Sequence, residues 1–163
     1  MLVSVITVSD RCSKGIYEDR SGALICEMLK EIADINEYVV VPDEKDEIIT
    51  HLKRICDKSE TNIVFTTGGT GFAPRDITPE ATKAVIEKEV PGISEAIRQK
   101  SLEITPMAML SRATAGIRGK TLIINLPGSP KAVKESLEIV IPVLSHAVET
   151  LSGNTQSCGK DVK

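Results

Sequence analysis

The sequence predicts a single α/β domain of three layers, an α/β/α sandwich with helices on both faces of a mostly parallel central sheet. Three observations predict it. Four short aliphatic runs are spaced along the chain, each is followed by a turn and a helical pattern, and aromatic residues are limited to Tyr17, Tyr38, Phe65 and Phe72. The core must therefore be built from Ile, Leu, Val and Ala, which suits strands buried on both faces. At 163 residues the chain fits one domain, and such a domain buries roughly two thirds of the surface its unfolded form exposes.

The runs Leu2 to Val8, Tyr38 to Val41, Asn62 to Thr66 and Thr121 to Leu126 read as the buried parallel strands. Between the first two, Ser21 to Ile32 places Leu24, Ile25, Met28, Leu29 and Ile32 on one helical face. Ile48, Ile49, Leu52, Ile55 and Cys56 repeat that spacing after the second run. After the third, Ile77-Thr78-Pro79-Glu80 combines a Thr cap, a Pro at the first helical position and an acid near the positive helix end. That start predicts a helix to about Lys88, with another from Ile93 to Leu102. The last helix begins near Pro130 and carries Val133, Leu137, Val140, Ile141 and Leu144 toward Leu151, with Pro142 expected to kink or offset it. Residues 1–151 make the domain, joined by right-handed crossovers. Residues 152–163 lose apolar periodicity and are expected to be a disordered tail.

The net charge of -3 is spread without a basic stripe, which excludes nucleic-acid binding by phosphate neutralisation. Cys12, Cys26, Cys56 and Cys158 show no C-x-x-C or zinc-ligand spacing, and read as reduced thiols. No basic leader precedes Leu2, and no apolar stretch approaches the ~20 residues that span a membrane. A soluble, cytoplasmic protein is expected. His51 and His146 lie in helical patterns with no Ser, Cys or Asp set as a triad, so both read as ordinary helix residues.

In an open parallel sheet, ligands bind outside the carboxyl ends of the strands. The four strands end in Ser9-Asp10-Arg11, Pro42-Asp43-Glu44, Thr67-Gly68-Gly69-Thr70-Gly71 and Pro127-Gly128-Ser129-Pro130-Lys131. Four turns of unusual composition thus converge on one edge. The glycine run can form a nest of backbone N–H groups for an anion, or simply a tight turn. It matches neither G-x-x-x-x-G-K-[ST] nor G-x-G-x-x-G. Asp43 and Asp76 beside such a nest would repel phosphate unless a hard cation such as Mg²⁺ lay between them. Their alternative roles are closing a turn and capping a helix. Lys131, in the first turn of a helix, is unfavourable toward the dipole and is easier to explain with an anionic ligand nearby. Ser111-Arg112 offers a hydroxyl and a guanidinium fork for phosphate, or an ordinary surface charge.

Several segments are shared with a known family: Val8-Ser9-Asp10-Arg11, Glu18-Asp19-Arg20-Ser21-Gly22, Val41-Pro42-Asp43-Glu44, the run from Thr66 through Gly68, Gly69, Thr70, Gly71 and Asp76 to Thr82, Met109-Leu110-Ser111-Arg112, and Gly116 to Ser129. Over Leu2 to Leu151 the chain resembles the molybdopterin adenylyltransferase domain family, which includes the amino-terminal domain of gephyrin. The resemblance implies the three-layer fold, a homotrimer, and AMP transfer from ATP to the terminal phosphate of molybdopterin with release of pyrophosphate. It implies that the glycine run and the Pro127-Gly128-Ser129 turn bind phosphate and pterin, with Ser9, Asp10 and Asp19 beside them. Asp43 and Asp76 match the family's two functional aspartates, with Mg²⁺ assigned to them. Eukaryotic relatives carry a further domain that inserts molybdenum, so here a separate insertion protein is the expected downstream partner. A sibling subgroup shares the fold and the Gly-Gly-Thr-Gly run, which leaves a molybdopterin-binding carrier without transferase activity as the alternative.

Overall fold

The computed structural model describes residues 1–57 and 60–153. Its strands are β1 (Leu2–Val8), β2 (Asp34–Val41), β3 (Ile63–Thr67), β4 (Lys88–Glu89), β5 (Ala115–Arg118) and β6 (Thr121–Leu126). They form one sheet in the order β2-β1-β3-β6-β5-β4. The first four in that order are parallel, whereas β5 and β4 form antiparallel pairs at one edge. The helices are α1 (Asp10–Ser13), α2 (Arg20–Leu29), α3 (Lys45–Asp57), α4 (Thr78–Lys83), α5 (Pro91–Leu102) and α6 (Pro130–Leu151), with a 3-10 turn over Pro106–Leu110.

Successive strand residues point to opposite faces, and here both faces are apolar. Val3, Val5, Ile63, Phe65, Leu122 and Ile124 pack under α2, α5 and α6 through Ile25, Leu29, Ile97, Val133, Leu137 and Leu144. Ile6, Val8, Val64 and Ile123 pack on the other face against Ile48, Leu52 and Ile55 of α3 and Ala81 of α4. The expected sandwich is what forms. Aliphatic side chains fill both helix–sheet interfaces, and Phe65 is the one aromatic ring among the large, fully buried side chains of the described residues.

The differences lie at the edges. The helix expected to reach Lys88 stops at Lys83, and the amides of Val85 and Ile86 turn back to the Thr82 carbonyl. Val85 and Ile86 are drawn into the α3-side cluster, and Ile86 fills the space that Gly116 leaves beside β5. Lys88 and Glu89 then pair antiparallel with Ile117 and Gly116. Neither β4 nor β5 carries an aliphatic run, so period alone does not reveal them. Strand β2 starts at Asp34 rather than Tyr38, because an edge strand alternates covered and exposed residues instead of burying each one. The helix before it starts at Arg20 and ends at Leu29, leaving Ile32 exposed. The cap of α4 is Ile77, and the hydroxyl of Thr78 is used elsewhere. Helix α6 continues through Pro142. Pro142 and Glu138 are both exposed, so the carbonyl that loses its N–H partner there is open to water. Of the tail expected over residues 152–163, Ser152 instead caps the end of α6, its N–H bonded to Val148 O, and the residues beyond Gly153 lie outside the described residues.

From β1 the chain moves to β2 on one side and then to β3 on the other. This reversal opens a crevice at the carboxyl ends of β1 and β3.

Candidate functional site

The loop after β3 turns its carbonyls into the protein. Gly68 O accepts the Thr78 hydroxyl at 2.8 Å and Gly69 O accepts the Thr78 N–H at 3.0 Å. Thr70 O accepts the Arg112 N–H at 2.9 Å, and Gly71 O accepts Arg112 Nε at 2.7 Å. With four consecutive carbonyls held on one side, the N–H groups of Gly69, Thr70 and Gly71 have no acceptor among the described residues. Three neighbouring amides left unpaired can serve as a nest for an anion, since backbone donors are otherwise nearly always satisfied. Two glycines permit this path by positive φ, 96° at Gly68 and 63° at Gly69. At Gly68 a β-carbon would also strike the carbonyl oxygen of Val8.

The loop after β6 is anchored in the same sense. Thr67 Oγ1 donates to Pro127 O at 2.7 Å, and Ser21 Oγ donates to Gly128 O at 2.7 Å. Ser129 caps α6 by accepting the Ala132 N–H at 3.3 Å. Gly128 lies so close to the glycine loop that a β-carbon there would stand 3.3 Å from Gly68 Cα. Between these loops and the start of α2 lies a cleft of about 390 Å³, walled by Ser9, Arg11, Tyr17, Asp19, Ser21, Gly68 and Gly128 among others. Asp19 caps α2, accepting the Ser21 and Gly22 amides at 3.0 Å each, and also accepts the Tyr38 phenol. Burial and that hydrogen bond push the Tyr38 phenol up from its ordinary pKa, which keeps it a donor. The Arg11 guanidinium covers the Tyr17 ring at 4.7 Å, giving the cleft a flat cationic wall.

Beyond Gly69 the edge becomes acidic. Asp10 and Asp43 grip each other's backbone: Asp43 Oδ2 accepts the Asp10 N–H at 2.7 Å and Asp10 Oδ1 accepts the Asp43 N–H at 3.2 Å. Arg75 holds Asp10 with two bonds of 2.9 Å and reaches Glu44 at 2.8 Å. The Arg75 guanidinium holds the Asp10 carboxyl below the usual carboxylate range. Burial pushes the Asp43 carboxyl up; the Asp10 amide opposes this, and the negative charges of Asp10 and Asp76 reinforce it. Asp76 spends Oδ2 on the Ala73 N–H at 3.0 Å, closing the segment after the glycine run rather than capping α4. One oxygen each of Asp43 and Asp76 remains without a hydrogen bond among the described residues. A β-carbon at Gly69 would lie 3.2 Å from Asp43 Oδ1, and one at Gly71 would lie 2.9 Å from Asp76 Oδ2, so both carboxylates border the nest. No group of three or more His, Cys, Asp or Glu among the described residues is arranged for a metal. Asp43 Oδ1 is spare and lies at the glycine loop, and the Asp76 carboxylate borders the same loop, so the pair fits a Mg²⁺ that arrives with a phosphate ligand, since that ion keeps few protein ligands.

Three expected ligand residues have protein partners of their own. Arg112 is a brace: besides Gly71 O it donates to Asp76 O at 2.7 Å and pairs with Glu80. Ser111 closes the 3-10 turn, its N–H bonded to Ala108 O. Lys131 is exposed and stands 3.9 Å from Glu135 on its own helix. Spacing did not reveal Thr67, Ser21, Thr78 and Arg75, which set the loops; their only sequence signal is a hydroxyl or cation beside a glycine turn.

The crevice, the nest and the spare carboxylates coincide with a family match over residues 4–146, described as a probable molybdopterin binding domain. The chain belongs to that family. A molybdopterin adenylyltransferase of Helicobacter pylori strain J99 is 50% identical over 156 residues, covering 93% of this chain and 88% of that protein. Gephyrin of Dictyostelium discoideum is 44% identical across 96% of this chain, which spans 23% of gephyrin. Among solved structures, the molybdopterin biosynthesis enzyme MoaB of Thermus thermophilus superposes with a TM-score of 0.88 at 46% identity, covering 93% of this chain and 96% of that one. Within this family's fold, Gly68 lines the cleft while Gly69 and Gly71 border Asp43 and Asp76.

Proposed function

We propose that this chain is a molybdopterin adenylyltransferase. An oxygen of the terminal molybdopterin phosphate attacks the α-phosphorus of ATP, the bond to the bridging oxygen breaks, and pyrophosphate leaves with the electron pair. The observation that carries the reading is the row of unpaired amides at Gly69, Thr70 and Gly71 between a cleft large enough for a pterin and a pair of bordering carboxylates. A phosphate monoester has a second pKa of about 6, so the nucleophile is ionised near neutral pH and needs no general base. What it needs is positioning and relief of charge repulsion.

The amides receive phosphate oxygens, while the cleft beside Tyr17, Ser21 and Gly128 orients the pterin. Asp43 and Asp76 would hold Mg²⁺, which supplies charge neutralisation for the nucleotide. Asp10 and Arg75 keep Asp43 in place. The same reading takes the protein to be a cytoplasmic homotrimer that hands its product to a separate molybdenum-insertion protein. No helix among the described residues is long and apolar enough to cross a membrane.

Purified protein given molybdopterin and Mg-ATP should form adenylylated pterin and pyrophosphate in equal amounts. Asp76→Asn keeps an oxygen for the Ala73 amide, so it should fold and bind pterin normally while turnover falls on the order of 10²-fold, the scale for losing one electrostatic transition-state contact. Pterin binding with no pyrophosphate release by the unaltered protein would make it a carrier instead. Wild-type turnover in Asp76→Asn would reduce that residue to a loop closure.

A further inference from the structure

A second cavity, of about 270 Å³, shares none of its lining residues with the cleft. Its wall includes Lys83 at the end of α4, Glu89, Ser94 and Arg98 of α5, and Arg112. Four features there favour an anion. Lys83 has no hydrogen-bond or ion-pair partner among the described residues. Arg98 spends Nη1 on Ala113 O at 2.8 Å and has the rest of its fork available. The first N–H groups of a helix lack intrahelical acceptors, and no side chain caps the start of α5, whose first turn forms part of this wall. Ser94 is 2% exposed and its hydroxyl finds no partner, although a buried polar group is normally paired.

We infer that this cavity is a second anion site, taking a tetrahedral oxyanion of the inorganic phosphate class and coupled through Arg112 to the glycine loop. Charge fits a small anion rather than a polyphosphate. Lys83 and Arg98 face a single carboxylate, Glu89, and the charge of Arg112 is already matched by Glu80. Size fits as well, since the volume holds one phosphate with a few waters. Arg112 is the only residue that both walls this cavity and holds Gly71 O and Asp76 O, among the described residues. An anion that draws on its guanidinium alters how firmly the nest is braced, and linkage makes the effect mutual. This site is separate from the proposed transferase reaction and does not depend on it.

The test titrates inorganic phosphate into the ¹⁵N-labelled full chain at constant ionic strength, reading the amides of Ser94, Ala113 and Gly71, with sulfate as a second arm. Saturable shifts at Ser94 and Ala113 with both anions, and a Gly71 shift with the same midpoint, are expected. Lys83→Glu, an exposed change outside the reaction site, should weaken that midpoint by about tenfold, the scale of one charge-assisted contact. Phosphate that binds the nest directly is distinguished by a Gly71 midpoint that Lys83→Glu leaves unmoved, an outcome that overturns the coupling. Arg98→Ala should act like Lys83→Glu. Shifts at Ser94 that grow linearly without saturating, or a midpoint indifferent to both substitutions, would overturn the site. A Ser94 response without a companion at Gly71 would also overturn the coupling.

Discussion

The two sides of the glycine loop solve opposite problems. On the cleft side, Thr67, Ser21, Gly68 and Gly128 meet through hydroxyls and backbone, with Arg11, Glu18, Asp19 and Arg20 as the charged residues of the walls. On the other side, Asp10, Asp43, Glu44, Arg75 and Asp76 form a charged corner that consumes most of its own hydrogen bonds. The cleft brings the backbones of two loops close together, and the corner holds two carboxylates near each other against their repulsion. The loop between them must be stiff, because a shift toward either side would fill the cleft or separate the nest from the carboxylates.

Gly68→Ala should do the most to break that division. The residue combines a φ of 96° with a β-carbon that would meet backbone of β1, which cannot step aside. A stability loss of about 3 kcal/mol or more is expected from strain and overpacking together, read as a lower urea midpoint. A wild-type midpoint would mean that the loop is not wedged against β1. Arg112→Ala comes next, since it frees two loop carbonyls and leaves the Glu80 carboxylate without its cation. About 2 kcal/mol is expected by chemical denaturation, and Arg112→Lys should recover little because an ammonium cannot reproduce the fork. Full recovery by Lys would show that only the charge matters.

On the cleft side, Asp19→Ala removes the α2 cap and should cost about 1 kcal/mol, with Asp19→Asn restoring most of it. Equal losses in both variants would place the weight on the Tyr38 contact instead. The smallest effect belongs to the corner. The folded pKa of Asp43 is raised above 3.8, so its charged form costs stability above that pKa and the cost vanishes as pH falls through it. Asp43→Asn should therefore melt slightly higher than wild type near neutral pH, with the gap closing on acidification; solvent screening keeps it below about 1 kcal/mol. A gap that widens toward acid would mean the ionised carboxylate is stabilising.

The layered fold was legible in the sequence because its information is local. Aliphatic runs such as Thr121 to Leu126 and helical faces such as Ile48, Leu52 and Ile55 declare their period within a dozen residues, and glycines mark the turns where backbone must take positive φ. The converging strand ends, with Asp43 and Asp76 among them, were legible for the same reason. Tertiary structure alone decided the rest. Lys88 and Glu89 become a strand because Gly116, far along the chain, makes room for Ile86. Arg112 becomes a brace because the Gly71 and Asp76 carbonyls come within its fork. Where the carbonyls of the glycine run point is set by Thr78 and Arg112, which lie further along the chain. Hydrogen bonds between residues distant in sequence leave no periodic trace, so the orientation of the free amides exists only once the chain has folded.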